Sequence, residues 1–491
     1  MKGILTFLAS VTATMAALAL AVPEGRENPF AVWKRPIKPV APEYEVSVGG
    51  RKVDLLPVKV TIAKQEPDPN DWGGTYWVAS FPCASGDVVR VKSLADAMDR
   101  AVFVPAGRVA GVRHEDGQTL SFEAQGPFRV VLERNGRVKP LLLFGNGPDA
   151  TVPDRTDPSV VYFGPGEHKV GRIDLRSGQT LFLDYGAVVY GGVRASGDDI
   201  SICGYGVLSG AAYGRGKGPT ATLLFAHKCR RLTVKGITLT APWGWTFAMQ
   251  ECDGVTVDGI RVCASRMLND DALDIVNCRD VTVRNSFFRA QDDLIAMKGC
   301  AEPRTPCGGV TVENCDFWSD WANVFRIGGE SHASGMGPLR VRDIDVLHCT
   351  PVTSPSYRER WPHAVFWIGA GAGMPMGDLV FEDVRVMSGD ATLYLAIVKS
   401  HVSIQGASPG ELGAPGRKRV KVPCGGSVTN VLFRNVSVTG KASYLVGIEG
   451  RSESEDVKDV RFENVTVNGR RIAKESPEVD IGKHADGISF R

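Results

Sequence analysis

Two stretches place acids where a strand normally carries Val or Ile. They are NDDALDIVNC, residues 269–278, with Asp270 and Asp271, and AQDDLIAMKG, residues 290–299, with Asp292 and Asp293. A carboxylate among apolar neighbours is unfavourable unless it is paired, hydrogen-bonded or used. Crowded carboxylates repel one another as anions, so at least one keeps a proton at neutral pH, with a raised apparent pKa. A retained proton is what a general acid needs, and an ionised neighbour can activate a water. Together these are the requirements of glycoside hydrolysis, whose inverting form separates its two carboxyls by ~6.5–9.5 Å. An oxygen-rich cluster also suits calcium, and a single Asp-Asp pair is commonly a turn. The chemistry therefore depends on whether the two clusters meet in space.

The elements that would bring them together are legible as a repeat. LTVKGI (232–237), VTVDGI (255–260), VTVRNS (281–286), VTVENC (310–315), LRVRDI (339–344), LVFEDV (379–384), VLFRNV (431–436) and VRFENV (460–465) start 23, 26, 29, 29, 40, 52 and 29 residues apart. Each is a short alternating strand, a polar pair usually containing Gly, Asn or Asp, and a further apolar residue. Strand–turn–strand units at a variable period predict a parallel β-helix, with extra residues bulging out at turns. A β-propeller repeats at ~40–50 residues, and the intervals show no amphipathic helical pattern for a βαβ fold. Cys229, Cys252 and Cys278 each precede a unit by three residues and should stack on consecutive coils as small buried thiols. The intervals 345–378 and 385–430 should carry long loops, the latter with GRKRVKV (416–422).

The first half reads differently. YEVSVGGRKVDLLPVKVTI (44–62), YWVASFP, TLSFEA and FRVVLERNGRVKPLLLF are short alternating strands with hairpin signals, a β-sandwich pattern. The Pro- and Asp-rich GPDATVPDRTDPSV (147–160) marks a boundary. The expected class is all-β: residues 22–156 as an N-terminal β-sandwich domain and residues 157–491 as the β-helix domain.

On a β-helix, residues one coil apart lie on adjacent strands, ~4.8 Å apart. The 21 residues from Asp271 to Asp292 make about one short coil, so Asp271, Asp292 and Asp293 should share a site. Strand alternation would send Asp292 and Asp293 to opposite sides, so a turn or bulge is expected there. Trp243 and Trp245, one coil earlier, are placed to stack on a sugar face or to pack beneath a loop. Trp318 and Trp321 have the same two readings. Lys298, Arg326, Glu330 and His332 are candidate hydroxyl or anion contacts, or surface ion pairs.

These residues resemble glycoside hydrolase family 28, the polygalacturonases, which are right-handed parallel β-helices. Asn269-Asp270-Asp271 is similar to the family's Asn-Thr-Asp segment, with Asp270 in place of Thr. Gln291-Asp292-Asp293-Leu294-Ile295-Ala296-Met297-Lys298-Gly299 is similar to its Asp-Asp segment, and the likeness covers roughly residues 160–470. The resemblance implies that Asp292 is the general acid, that Asp271 and Asp293 activate water, and that Asn269 belongs to the binding site. Asn323 stands where the family carries His, and no counterpart of its uronate-gripping Arg-Ile-Lys is evident. The resemblance therefore implies the mechanism and leaves the sugar open. A β-sandwich ahead of the helix looks like family 49, the dextranases and isopullulanases.

Composition sets the rest. A net charge of +2 over 491 residues carries no polyanion-binding signature, so no nucleic-acid partner is expected. Lys2, the apolar run Ile4–Ala21 and Ala19-Leu20-Ala21 form a signal-peptide pattern, which predicts removal of residues 1–21 and a secreted or periplasmic protein. No later run is long enough to span a membrane. Eleven cysteines leave at least one unpaired, and Cys300 with Cys307 is the best candidate bridge. The leading expectation is an inverting glycoside hydrolase without metal or cofactor, acting on a polysaccharide or its oligomers. A polysaccharide lyase and a non-catalytic glycan-binding β-helix are the alternatives.

Overall fold

The computed structural model describes residues 40–60, 74–147, 152–267, 269–349, 363–389, 394–401, 410–415, 417–418, 420–421, 425–440 and 446–491. The leader-like run and part of GRKRVKV lie outside the described residues.

Two five-stranded sheets come first. One is antiparallel, in the order Arg51–Val53, Tyr44–Val48, Val88–Ser93, Thr119–Glu123, Arg113–Asp116. The other runs Leu55–Val60, Gly74–Pro82, Leu141–Asn146, Phe128–Glu133, Val102–Val104, with its two central strands parallel. Val46, Val89 and Phe122 of the first pack against Trp77, Leu132 and Leu143 of the second, so the pair is a β-sandwich. The other face of the second sheet is buried too, as Tyr76, Val131, Leu142 and Phe144 join Phe287, Trp318 and Leu347 of the β-helix.

From Val160–Phe163 to Ser489–Phe490, 29 strands make the right-handed β-helix, parallel throughout except for the hairpin strand Arg470–Arg471. The repeat units pair in one register: Thr233, Thr256, Thr282, Thr311, Arg340, Val380, Leu432 and Arg461 are successive neighbours. A second ladder follows each unit, for example Thr238–Thr240, Arg261–Cys263 and Phe287–Ala290. A third contains Leu224–His227, Phe247–Gln250, Leu273–Val276, Ile295–Lys298, Phe325–Gly328 and Ala364–Gly369. The polar pairs turn the chain between the first two ladders. Asn285, Asn314, Asp383, Asn435 and Asn464 adopt φ of 47–54° there, a conformation that Gly, Asn and Asp tolerate best. Their side chains also bond from coil to coil, as Asn314 Nδ2 to Asn285 Oδ1 at 2.7 Å shows.

The cysteine ladder forms as its spacing predicts. Cys229 N meets Cys252 Sγ at 3.4 Å, and Cys252 N meets Cys278 Sγ at 3.4 Å. The expected Cys300–Cys307 bridge is absent, and both are free buried thiols. Cys307 extends the ladder into the core, its Sγ 3.5 Å from Ile275 O, whereas Cys300 packs on the outer face beneath Leu412. Their side chains are thus committed to opposite faces of the coil.

Candidate active site

The site lies at the turn between the second and third ladders, one corner of the helix repeated coil by coil. Thr246 N bonds Asp271 O at 2.8 Å, Ala272 N bonds Asp293 O at 2.8 Å, and Leu294 N bonds Asn323 O at 3.0 Å. In parallel-strand register this stacks Trp245, Asp271, Asp293 and Asn323 in one column. The column sharpens the sequence expectation: Asp271 stacks on Asp293, and Asp292 sits one position earlier, above Asp270. A bend at Gln291 and Asp292 interrupts strand alternation, so Asp292 and Asp293 face the same side. One oxygen from each of Asp271, Asp292 and Asp293 lies within 4.8 Å of the other two.

Asp270 explains how the bend is held. Its fully buried carboxylate accepts four backbone N–H groups: Ser265 at 2.8 Å, Arg266 at 3.0 Å, Gln291 at 2.8 Å and Asp292 at 3.1 Å. It clamps Ser265 and Arg266 of one coil to the bend of the next. Burial pushes its pKa up to about 6 against the pull of those N–H donors.

The three aspartates differ in surroundings. Asp292 is half-buried, and it accepts Asp293 N at 3.0 Å and Asn269 N at 3.1 Å. Burial, and then the Asp293 charge, push its pKa up to about 7. Asp293 accepts Asn323 Nδ2 at 2.7 Å. Asp271 Oδ2 receives Lys298 Nζ at 2.7 Å, while its buried Oδ1 has no partner among the described residues. Burial drives the Asp271 carboxyl upward against the nearby Lys298 charge.

Several candidate contacts take other roles. Lys298, a candidate substrate contact by its position, is instead buried between Asp271 and Asp274, 2.8 Å from Asp274 Oδ1. Burial opposes its charge, but Asp271 and Asp274 outweigh that and hold it well above the usual lysine range. Asn323 is spent on Asp293 and on Ala364 N, the latter at 2.8 Å, so it positions a carboxylate instead of meeting a sugar. Trp243 lies in the core, 2% exposed, with Nε1 on Thr220 O at 3.1 Å, and cannot stack on a ligand. Trp318 is buried against the sandwich. His332 is buried with Nε2 2.9 Å from Glu302. Trp245 is half-buried, its ring 3.9 Å from Lys298 Nζ.

The remaining candidates stay at the cleft. Asn269 is exposed beside Asp292, and its Oδ1 accepts Arg215 Nη2 at 2.6 Å. Arg326 is half-buried, its guanidinium 3.3 Å from the Trp367 ring centroid, where burial lowers its pKa against the pull of Asp293. Glu330 is half-buried and faces the charges of Lys298 and Arg326.

Sequence reasoning passed over Asp274, Arg215 and Trp367. Asp274 had a signal: it breaks the apolar run of Leu273–Val276 at an outward position, in register with Ala296 and Arg326. Arg215 and Trp367 had none, since their partners are far away in sequence.

Comparison with known proteins bears on this site. Residues 195–318 match the family model Glycosyl hydrolases family 28. No curated protein sequence matches the chain. Among solved structures, Dex49A from Penicillium minioluteum superposes with TM-score 0.57 at 14% identity, covering 91% of this chain and 93% of its own. The family 28 exopolygalacturonase of Yersinia enterocolitica gives 0.49 at 14% identity, covering 83% and 97%. The polygalacturonase of Erwinia carotovora gives 0.47 at 14% identity, covering 67% and 87%. The segment that holds Asp271, Asp292 and Asp293 is thus similar to family 28 of the glycosyl hydrolases, and the chain shares its fold with Dex49A over 91% of its length.

Proposed function

We propose that this chain is a secreted, inverting glycoside hydrolase acting on a pectic or other α-linked glycan. The observation that carries the reading is the convergence of Asp271, Asp292 and Asp293 within 4.8 Å beside one contacting cation, Lys298. Three anions that close cannot all ionise, so a proton is retained at neutral pH. Asp292, half-exposed and with its pKa near 7, is the general acid that protonates the leaving oxygen. Asp271 and Asp293 hold and polarise the attacking water, with the unpartnered Asp271 Oδ1 as one acceptor. Asn323 fixes Asp293, and Lys298 fixes Asp271.

The 4.8 Å bound is set by the nearest oxygens of the three residues, and the attacking water is held by Asp271 and Asp293 together. Lys298 argues against the lyase alternative, because a proton-abstracting lysine must be neutral and two aspartates keep this one charged.

The test is a screen of pectic, dextran-type and other α-linked glycans for reducing-end release, with wild type and Asp292→Asn side by side. Turnover by wild type and its loss in a folded variant is the expected result. Full activity in the variant, or an unsaturated product, would sink the assignment. The anomeric configuration of the first product by NMR decides inversion. Export rests on the leader-like run alone, and N-terminal sequencing of the secreted protein checks it.

A further inference from the structure

We infer that the strap formed by residues 410–415 closes one end of the substrate groove, so that the protein removes units from glycan chain ends. The inference rests on the hydrolase reading above and adds to it the mode of attack.

The groove floor is the outer face of the third ladder, alongside the column Thr222, Trp245, Asp271, Asp293 and Asn323. A polymer threading past Asp271 and Asp292 needs that floor open on both sides of the acids. Towards the earlier coils it is occupied. The strap follows Tyr394–Lys399 in the chain yet lies back across Leu224–His227 and Phe247–Gln250, the two coils before Asp271. Leu412, 6% exposed, packs on Phe225, Ala248 and Val276, beside Trp245. Gln250 bonds the strap backbone in both directions, Nε2 to Gly410 O at 3.0 Å and Oε1 from Leu412 N at 2.9 Å.

The strap is anchored at further points. Gly410 N donates to Cys300 O at 2.9 Å, and Glu411 pairs with Arg194 at 2.8 Å. Gly413 passes so close to Ala221, the neighbour of Thr222, that a Cβ on it would sit 2.8 Å from the Ala221 Cβ. A segment with a buried apolar anchor and satisfied backbone groups is part of the wall. On the other side of the acids, the same face carries Arg326 and Glu330, both half-exposed. The floor is thus covered before Asp271, partly exposed at Arg326 and Glu330, and buried again at Trp367 and Ile397 on the following coils, a short opening that fits a chain end better than a continuous chain.

The experiment follows product size and viscosity together, with polygalacturonic acid and dextran as separate probes. Wild type should release one small product from the earliest times while viscosity lags behind reducing-end formation. Leu412→Asp, which places a charge in the apolar seat, should shift the products to a ladder and make viscosity fall faster per bond cleaved. Glu411→Gln is the milder second variant, and thermal melting of each confirms a folded protein. A ladder of internal products from wild type overturns the inference, as does a folded Leu412→Asp protein with an unchanged single product. Absence of hydrolysis by wild type on both polymers and on their short oligomers overturns the hydrolase reading itself.

Discussion

Buried charge is handled in opposite ways on two neighbouring faces of the β-helix. Where the sandwich docks, acids and bases are matched. Asp316 receives Arg108 at 2.8 Å and Arg129 at 2.8 Å, and Asp345 receives Arg108 at 2.6 Å and Arg385 at 2.5 Å. Asp320 takes a two-point contact from Arg289, at 2.8 and 3.2 Å, and Trp318 Nε1 at 2.8 Å. The Arg289 guanidinium in turn lies between the Tyr76 and Trp318 rings. One turn away, Asp271, Asp274, Asp292 and Asp293 crowd together with, among the described residues, only Lys298 in direct ionic contact. Matched charges hold two domains in register, whereas a surplus of acid must retain protons. The same residue type serves docking on one face and the proposed chemistry on the other, and the count of partners separates the two.

The largest effect should come from breaking the surplus at its exposed member. Asp292→Asn keeps the shape and removes the transferable proton, and general acid catalysis is worth ~10²–10⁴-fold. We expect kcat to fall by about that factor with no loss of melting temperature, as measured by steady-state kinetics and calorimetry. Removing the cation in contact with the surplus, Lys298, should be the next largest. Lys298→Met strands two buried carboxyls, and breaking a buried pair costs about 3–5 kcal/mol. Denaturant unfolding at neutral pH should show that loss, and it should shrink as pH falls, because the upward-shifted Asp271 and Asp274 then accept protons. Asp316→Asn at the docking face should also destabilise, because it leaves Arg108 and Arg129 without their shared carboxylate.

Acidity of the medium sharpens the contrast further. Asp292 has an ordinary carboxylate value of 3.8 and a folded value near 7. Between these limits the unfolded chain gives up the proton and the folded one keeps it. This group's contribution to stability therefore declines as pH rises from about 4 to about 7. Activity should decline over a different range, by about tenfold per pH unit above about 7, as the acid loses its proton. A kcat profile flat through pH 7–9 would remove Asp292 from the acid's role.

How much of this could be read from sequence follows from how local each cause is. The repeat was legible because each turn between the first two ladders needs a Gly, Asn or Asp at positive φ, and each core position needs an apolar residue. The site was legible because one coil length carries Asp271 onto Asp293. Trp243 and Cys307 show the limit. Whether a side chain at a coil corner faces the core or the cleft depends on a single residue of register, which spacing alone does not resolve. Arg215, Trp367 and the strap lie beyond sequence reasoning, because their partners come from distant coils. Asn323 illustrates a different limit: the resemblance marked the position, but only the hydrogen bonds to Asp293 and Ala364 N gave its role.

The smallest expected effect tests whether the docking face is as well matched as the comparison claims. Arg385 is 46% exposed and shares Asp345 with Arg108. If Asp345 is satisfied twice over, Arg385→Ala leaves its carboxylate still paired, and what is lost is an ion pair with one partly solvated member. Such pairs contribute about 0–1 kcal/mol. Urea unfolding of Arg385→Ala should therefore move by no more than about 1 kcal/mol, with kcat unchanged. Arg108→Ala should cost more, because Arg108 also serves Asp316, and Asp316 and Asp345 are both nearly inaccessible to water. A loss at Arg385 as large as that at Lys298 would mean that Asp345 is short of counter-charge in the same way as Asp271 and Asp274. The distinction between a matched face and a surplus face would then fail at the residue where it is most exposed to test.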